Sequence, residues 1–510
     1  MAKILATLDP ELRQIVSTNK VFKNWAKTFS CSPELYFEPT SEEQIVKIFY
    51  LAQRTGKPVK AVGSGHSPSD LACTNGFMLS LDRLNEVLAV DTNAYTISVQ
   101  AGMNLHELHR VLAENGLAVS NLGSISDQSI AGVMATATHG TGAKFGSLPT
   151  MIRALTIITP TGLTLHCTPT QHADVFCAAQ CSLGALGIIT RITLQVEPAF
   201  RLEAIQEPVP FSTVLSMMPT LIHSAQHVRF WWFPYTDMTV VWRANRSTKP
   251  VRQAPVSWLR DHLLGVHAYE AVLDITRFGP LTKAIPSAAR FFFGALFDRK
   301  VKVIDDSYKV FNFDCLFPQY VNEWAIPWEH TAEALKRLDA FIKENEIKVH
   351  WPVEVRFVDE DNVWLSPAYG RKTAYIGVIM YRPYGKPVPY KKYWQGYENI
   401  MRSFGGRPHW AKAHGQTCAD LAPSYPRFQD FLRVRQELDP AGTLLNDYLR
   451  RHVVGVAGRG VVHKATPGVS QDERGVAEAE EDAEARAAGG FGEGEGEGEG
   501  GVVGQVLARL

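Results

Sequence analysis

Glu354 and Arg356 stand two residues apart in the stretch PVEVRF. In a β-strand, side chains at i and i+2 leave the same face. A carboxylate and a guanidinium would then share one environment. Two readings fit that spacing. At the surface, the pair is an ordinary ion pair. Facing a pocket, the carboxylate can accept hydrogen bonds from hydroxyl groups while the guanidinium, a permanent cation, neutralises an anion. His66 is the second chemical candidate, set in AVGSGHSPSD. An imidazole inside a run of glycine and serine is either part of a tight turn or a contact to a ligand cradled by free backbone amides.

The elements around His66 can be read from periodicity. Ser41 and Gln44 have capping-box spacing, Ile45, Ile48, Phe49 and Ala52 fall on one helical face, and Gly56 ends the turn. Val59 to Val62 then form a short strand that delivers the glycine loop. That loop is not a dinucleotide turn, because Pro68 replaces the third glycine and another strand follows; nor does a Gly-Lys-Ser/Thr follow to make a P-loop. A second loop, NLGSISDQSIAGVMATATHGTG (121–142), is rich in glycine and hydroxyls and carries no charge between Asp127 and His139. Small residues let a backbone approach a flat ligand closely. Two such loops about 60 residues apart in one α+β half point to one shared ligand.

Further on, Asn104 caps a helix that Gly116 closes, and a hairpin turns at Thr161-Gly162. Val175 to Thr190, the most apolar stretch, is interrupted by Gln180, Ser182 and two glycines. It reads as core helix and strand rather than a membrane span. All tryptophans but Trp25 lie between 231 and 410, an aromatic-rich half suited to covering an organic ligand. VRFWWFPYTDMTVVWRANR reads as paired strands and FQDFLRVRQEL as a final helix. Residues 451–510 are acidic, glycine-rich and poor in large apolar groups, the composition of a disordered tail.

The chain of 510 residues is 45% hydrophobic, enough for two domains with large cores. Lys plus Arg equals Asp plus Glu at 52 each, so nothing points to nucleic acid. The seven scattered cysteines read as reduced thiols, and no histidine or cysteine spacing marks a metal site. The N-terminus has no apolar leader core, and Asp9 and Glu11 argue against a mitochondrial presequence. IPSAARFFFGALFDRK (285–300) puts an aromatic cluster between basic residues, which reads as a buried helix or as a contact to a membrane surface.

Over residues about 20 to 450 the chain resembles the vanillyl-alcohol oxidase family of FAD proteins, in its sugar-1,4-lactone oxidase branch. The resemblance rests on NWAKTFSCSPELYFEP, GSGHSPSD, ATATHGTG and the signature His409-Trp410-Ala411-Lys412. Within the branch it is similar to the fungal D-arabinono-1,4-lactone oxidases. The implied fold is α+β: a two-lobed FAD-binding domain (1–200), a mixed α/β substrate domain that returns to it (201–450), then the tail. The implied cofactor is FAD, bound covalently through His66. Gly63, Ser64, Gly65 and Ser67 are expected beside it from the first loop. Gly123, Ser124, Ser129, Gly132, Val133, Met134, Ala135 and His139 are expected from the second, and Ile188 and Ile189 from a closing strand.

The resemblance also implies roles on the substrate side. Glu354 holds sugar hydroxyls, Arg356 stabilises an anionic ene-diol product, Lys412 stands near the reacting carbon, and His409 orients the loop or a hydroxyl. Whether Glu354 or Lys412 is the base stays open. The implied reaction is oxidation of D-arabinono-1,4-lactone at C2 by O2, giving H2O2. L-gulono- or L-galactono-1,4-lactone and alditols are the alternative substrates, and a flavin-binding protein without turnover is the alternative outside enzymes. Association with the mitochondrial outer membrane is the implied location, with the cytoplasm as the alternative.

Overall fold

The structure, a computed structural model, describes residues 2–313, 317–349 and 352–456. In the first half the local signals act as their chemistry dictates. The Ser41 Oγ accepts the Gln44 amide at 3.3 Å, the helix Glu42–Thr55 buries Ile45, Ile48, Phe49 and Ala52, and Gly56 closes it at φ +63°. The chain then enters the strand Val59–Val62, parallel to Phe77–Ser80 in a four-stranded sheet. A second sheet of five antiparallel strands holds the Thr161-Gly162 hairpin and the strand Ile188–Gln195. The apolar stretch beginning at Val175 is indeed split, between the helix Ala173–Ala179 and that strand. The two lobes share one apolar core.

After residue 200 the chain builds one antiparallel sheet of eight strands. In spatial order they are Val301–Asp306, Arg201–Pro210, Met238–Ser247, His227–Phe233, Val353–Val358, Thr373–Tyr381, Gln319–Pro327 and Arg407–Pro408. Side chains alternate between its faces. Phe230, Trp232, Val353, Val355, Ile376 and Val378 point to one face and pack against the helices Thr331–Glu344 and Lys391–Ser403. The other face looks toward the first half. Gly142 donates its amide to the Phe357 carbonyl, and the Thr141 hydroxyl bonds to the Val228 carbonyl.

The C-terminal segment runs back onto the first half of the chain. The Val59 amide donates to the Thr443 carbonyl at 2.8 Å, the Asn446 side chain to the carbonyls of Leu71 and Cys73, and Arg451 pairs with Asp70. Arg450–Val454 is a helical turn with His452 and Val453 buried, so the chain stays ordered past the expected start of the tail at 451. The remainder of that tail, from 457, lies outside the described residues. Cys315 does too; the other six cysteines are free thiols.

The segment 285–300 contains a helix, Ile285–Leu296, with Phe292 and Phe293 buried; Phe297, just beyond it, is buried too, against Phe233. Of its aromatic cluster only Phe291 is exposed, at 62%. Nearby, however, Trp258, Leu259, Leu263, Ile275, Phe278 and Leu281 are exposed as well. Among the described residues no helix is long and apolar enough to cross a membrane.

Candidate active site

The two glycine loops and a closing strand line one cleft, with roughly 930 Å³ of empty space counting its open mouth. Gly63, Ser64, Gly65, His66 and Ser67 form one wall, Ser129, Gly132, Val133 and Ala135 another, and Ile188 and Ile189 a third. Gly63 explains how closely the loops meet, because a Cβ there would lie 1.9 Å from the Ser129 Oγ. Gly65 takes φ +67°, a conformation that favours glycine. Such a cleft fits the flat rings and pyrophosphate of FAD, with amides and hydroxyls in place of a salt-bridged shell.

The His66 imidazole is half-buried and stacks on Trp25 with ring centres 5.5 Å apart. Its Nδ1 is buried and has no hydrogen-bond partner. Burial pushes its pKa down, against the pull of Asp127, so the ring is neutral with a lone pair to offer. Buried Lys60, also in the cleft lining, donates from Nζ to the Leu183 carbonyl at 2.7 Å, and burial lowers its pKa to about 7.

The charged residues gather on the inward face of the eight-stranded sheet. Strand register aligns them in two adjacent rows. Arg229, Arg356 and Tyr375 are paired across three strands in one row; Trp231, Glu354, Gly377 and Glu323 are paired across four in the next. Directly paired residues leave the same face, so residues up to 148 positions apart in sequence share a surface (229 to 377). Arg356 Nη2 donates to Glu354 Oε2 at 2.5 Å and also to the Ser124 hydroxyl. The strand pair is thereby tied to the second glycine loop. Glu354 Oε1 is buried and has no hydrogen-bond partner.

Glu323 stands at the end of its row. Burial works to raise the pKa of its carboxyl, but the nearby His139, Lys412 and His409 hold it well below the ordinary range. Its Oε1 is 3.3 Å from His139 Nε2 and its Oε2 is 4.0 Å from Lys412 Nζ. The His139 ring lies flat on Tyr375, 3.5 Å between centres. Ligand-type atoms of His139, Glu323 and His409 all fall within 4.8 Å of one another, so a metal ion needs consideration. Hydrogen bonding argues against one. His409 Nδ1 accepts the Ala411 amide at 3.1 Å, which fills that lone pair and leaves the proton of the neutral ring on Nε2. Burial keeps His409 neutral, with its pKa lowered to about 3. Neither nitrogen then has a lone pair for a metal, and Lys412 already supplies positive charge to Glu323.

The sequence-selected residues thus fall into two groups. Met134 of the second loop is in the core, and its side chain does not line the cleft. Ser124 and His139 lie on the sheet side, Ser124 on Arg356 and His139 on Glu323, and Gly123 packs beside Thr138 within the second loop, outside the cleft lining. Glu354, Arg356, His409 and Lys412 belong to the sheet side. It joins the cleft at Ala411, whose carbonyl accepts from Ser69 Oγ at 3.0 Å. Sequence reasoning missed Glu323, Arg229, Tyr375 and Lys60. Arg229 is buried among the rings of Trp231, Trp242 and Phe313, and burial lowers its pKa to about 9 against the pull of Glu354. Only strand pairing brings these residues to the site, and no local motif announces it.

The fold and cleft define an FAD-dependent oxidoreductase of the vanillyl-alcohol oxidase type. A solvent-stable cholesterol oxidase has the same fold (TM-score 0.72, 18% identity, 87% of this chain and 99% of that one). So does xylooligosaccharide oxidase from Myceliophthora thermophila, with a TM-score of 0.64 at 14% identity over 86% of this chain and 94% of that one. Residues 33–168 match an FAD binding domain, and residues 192–452 match D-arabinono-1,4-lactone oxidase. The chain is 44% identical to L-gulonolactone oxidase of Scyliorhinus torazame, over 84% of this chain and 97% of that one. It is 37% identical to a putative D-arabinono-1,4-lactone oxidase of Neurospora crassa, over 88% and 91%. The protein therefore belongs to the D-arabinono-1,4-lactone oxidase family of FAD-dependent sugar-lactone oxidases.

Proposed function

We propose that the protein oxidises D-arabinono-1,4-lactone at C2, the carbinol carbon beside the lactone carbonyl, with O2 as the final acceptor and H2O2 as the second product. FAD held in the cleft would supply a two-electron acceptor that O2 can reoxidise. The protein's own side chains bind, orient and move a proton. Arg356 holds Glu354 Oε2, which leaves Glu354 Oε1 as an open acceptor for a substrate hydroxyl. Lys412 stands beside the Glu323 carboxylate, as an ammonium would. The hydroxyl proton is therefore assigned to Glu354, and Lys412 serves as a counter-charge. Arg356, anchored by Ser124, faces the developing ene-diolate as a fixed cation.

The observation that carries this reading is the Glu354–Arg356–Ser124 chain, which joins the reaction face to a flavin loop. Two finer points go with it. His66 carries FAD covalently, supported by its neutral ring and unpartnered Nδ1 at the cleft. L-Gulono-1,4-lactone is the second substrate reading, favoured by the likeness to L-gulonolactone oxidases. A lactone panel with an H2O2 readout tests the function; no peroxide from any sugar lactone overturns it. Acid precipitation tests the covalent bond, since yellow colour must stay in the pellet.

A peripheral membrane contact also belongs to this reading. The exposed Trp258, Leu259, Ile275, Phe278 and Leu281, with Lys283 and Arg290 exposed among them, suit an anionic lipid surface. Trp258→Ser with Leu259→Ser should abolish flotation with anionic liposomes; unchanged flotation removes this face as the contact.

A further inference from the structure

Gly377 lies between the two carboxylates of the reaction face, paired with Glu354 on one side and Glu323 on the other. Adjacent strands run about 4.8 Å apart, so a gap of roughly 10 Å between the two acidic residues' backbones is bridged by a residue without a side chain. Glycine is a poor occupant of an inner strand, since it packs nothing and loses more entropy on folding. Its backbone does not demand glycine, because Gly377 is not among the residues with positive φ. Packing does not demand it either. The three atoms nearest a Cβ at Gly377 all belong to Glu323, at 3.7 to 3.9 Å, ordinary van der Waals contact. Gly396 shows the opposite case: a Cβ there would lie 2.0 Å from the Phe341 ring. Gly377 therefore leaves room that neither the backbone nor the packing requires.

The walls of that room indicate its occupant. Glu354 Oε1 is buried and lacks a donor, and Glu323 Oε2 has its nearest cation 4.0 Å away. Acceptors that flank a gap from both sides call for a ligand rich in O–H donors, and they exclude an anion. We propose that the lactone lies over Gly377 with its C2 hydroxyl on Glu354 and its polyol arm donating a hydroxyl to Glu323, and that Gly377 lets the site accept six-carbon lactones. This rests on the lactone-oxidase reading above and adds to it the residue that sets substrate length. A methyl group at residue 377 shortens the space where the extra hydroxymethyl group of a six-carbon lactone lies.

The test uses the flavin-loaded enzyme, Gly377→Ala, and five- and six-carbon 1,4-lactones. Ala should raise KM for the six-carbon lactone about tenfold and for the five-carbon lactone less than about twofold, the range expected from one carbon of misfit. The change is expected in KM rather than kcat. Calorimetric Kd values of the corresponding 2-deoxy lactones, which have no C2 hydroxyl to oxidise, should shift in the same ratio. The melting temperature should hold or rise, because alanine replaces glycine in a strand. Gly377→Ser provides a second variant with the same expected bias. Equal shifts for both lactones, or none, overturn the proposal. So does a wild type that oxidises five-carbon lactones and rejects six-carbon ones. A wild type inactive on every lactone overturns the proposed function itself, and this inference with it.

Discussion

The cofactor cleft and the reaction face touch at Ala411 yet are built on opposite principles. The cleft is lined by glycines, hydroxyls and small apolar side chains from stretches that are each continuous in sequence. It holds a ligand by shape and backbone. The reaction face collects Arg229, Glu323, Glu354 and Arg356 from three strands, with His139 and Lys412 added from loops. It works by concentrating charge where water is scarce, and there each group strongly affects the others. The difference teaches where damage should be severe: a lost charge on the sheet should stop chemistry, whereas a lost contact in the cleft should weaken attachment.

The sharpest way to break that contrast is Arg356→Lys. Lysine keeps the charge but cannot bond Glu354 and Ser124 from one planar group. The rate of flavin reduction by lactone should fall about a thousandfold, in line with the loss of an oriented transition-state donor. Flavin content should be unchanged, since Arg356 does not line the cleft. Stopped-flow reduction at near wild-type speed would erase the distinction between the regions. On the cleft side, His66→Ala should move all flavin colour from the acid pellet to the supernatant. Turnover should fall only about tenfold, or roughly 1.4 kcal/mol. A smaller test lies at the seam. Gly123→Ala places a Cβ 3.4 Å from Thr138 Cγ2, which the loop can accommodate. The added methyl group narrows the approach of O2 beside the second loop, so stopped-flow reoxidation should slow several-fold while flavin reduction stays nearly unchanged.

The same contrast explains what the sequence could reveal. The helix cap at Ser41, the strand into the first glycine loop and the split of the apolar stretch after Val175 are all local events, governed by neighbours within a few residues. The Glu354–Arg356 pair was legible because its members sit two apart on one strand. Glu323 was not. It reaches the site through Gly377, 54 positions on (377 − 323), by strand pairing that no local pattern encodes. His139 was selected for the cofactor because it belongs to a glycine-rich loop, but its ring turns to Tyr375 and Glu323. Loop composition shows that a ligand is near; it does not tell which way one imidazole points. The 285–300 segment teaches the same lesson in reverse, since its aromatic cluster is mostly core and the exposed apolar face begins earlier, at Trp258. Replacing Phe292 and Phe293 would therefore disturb packing rather than test a membrane contact.

Lys60 gives the smallest effect and refines the comparison most. It is the one lysine or arginine among the described residues lining the cleft, and burial lowers its pKa to about 7. An unfolded lysine titrates near about 10.4. Between those values the unfolded chain binds the extra proton, so this residue makes stability rise with pH from about 7 to about 10. Below about 7 the folded protein must carry a buried ammonium, and its destabilising effect there is constant. Its slope is at most about 1.4 kcal/mol per pH unit, the limit for one group. The measurement needs a His66→Ala background, from which flavin can be removed. There, Lys60→Met should flatten the rise in urea midpoint between pH 7 and pH 10 relative to the parent. Adding FAD to the parent should flatten it too if the pyrophosphate lies by Lys60, because an anion restores the ammonium. A slope untouched by Lys60→Met would mean that this amine does not titrate in the cleft, and that the cleft binds its ligand without a charge of its own.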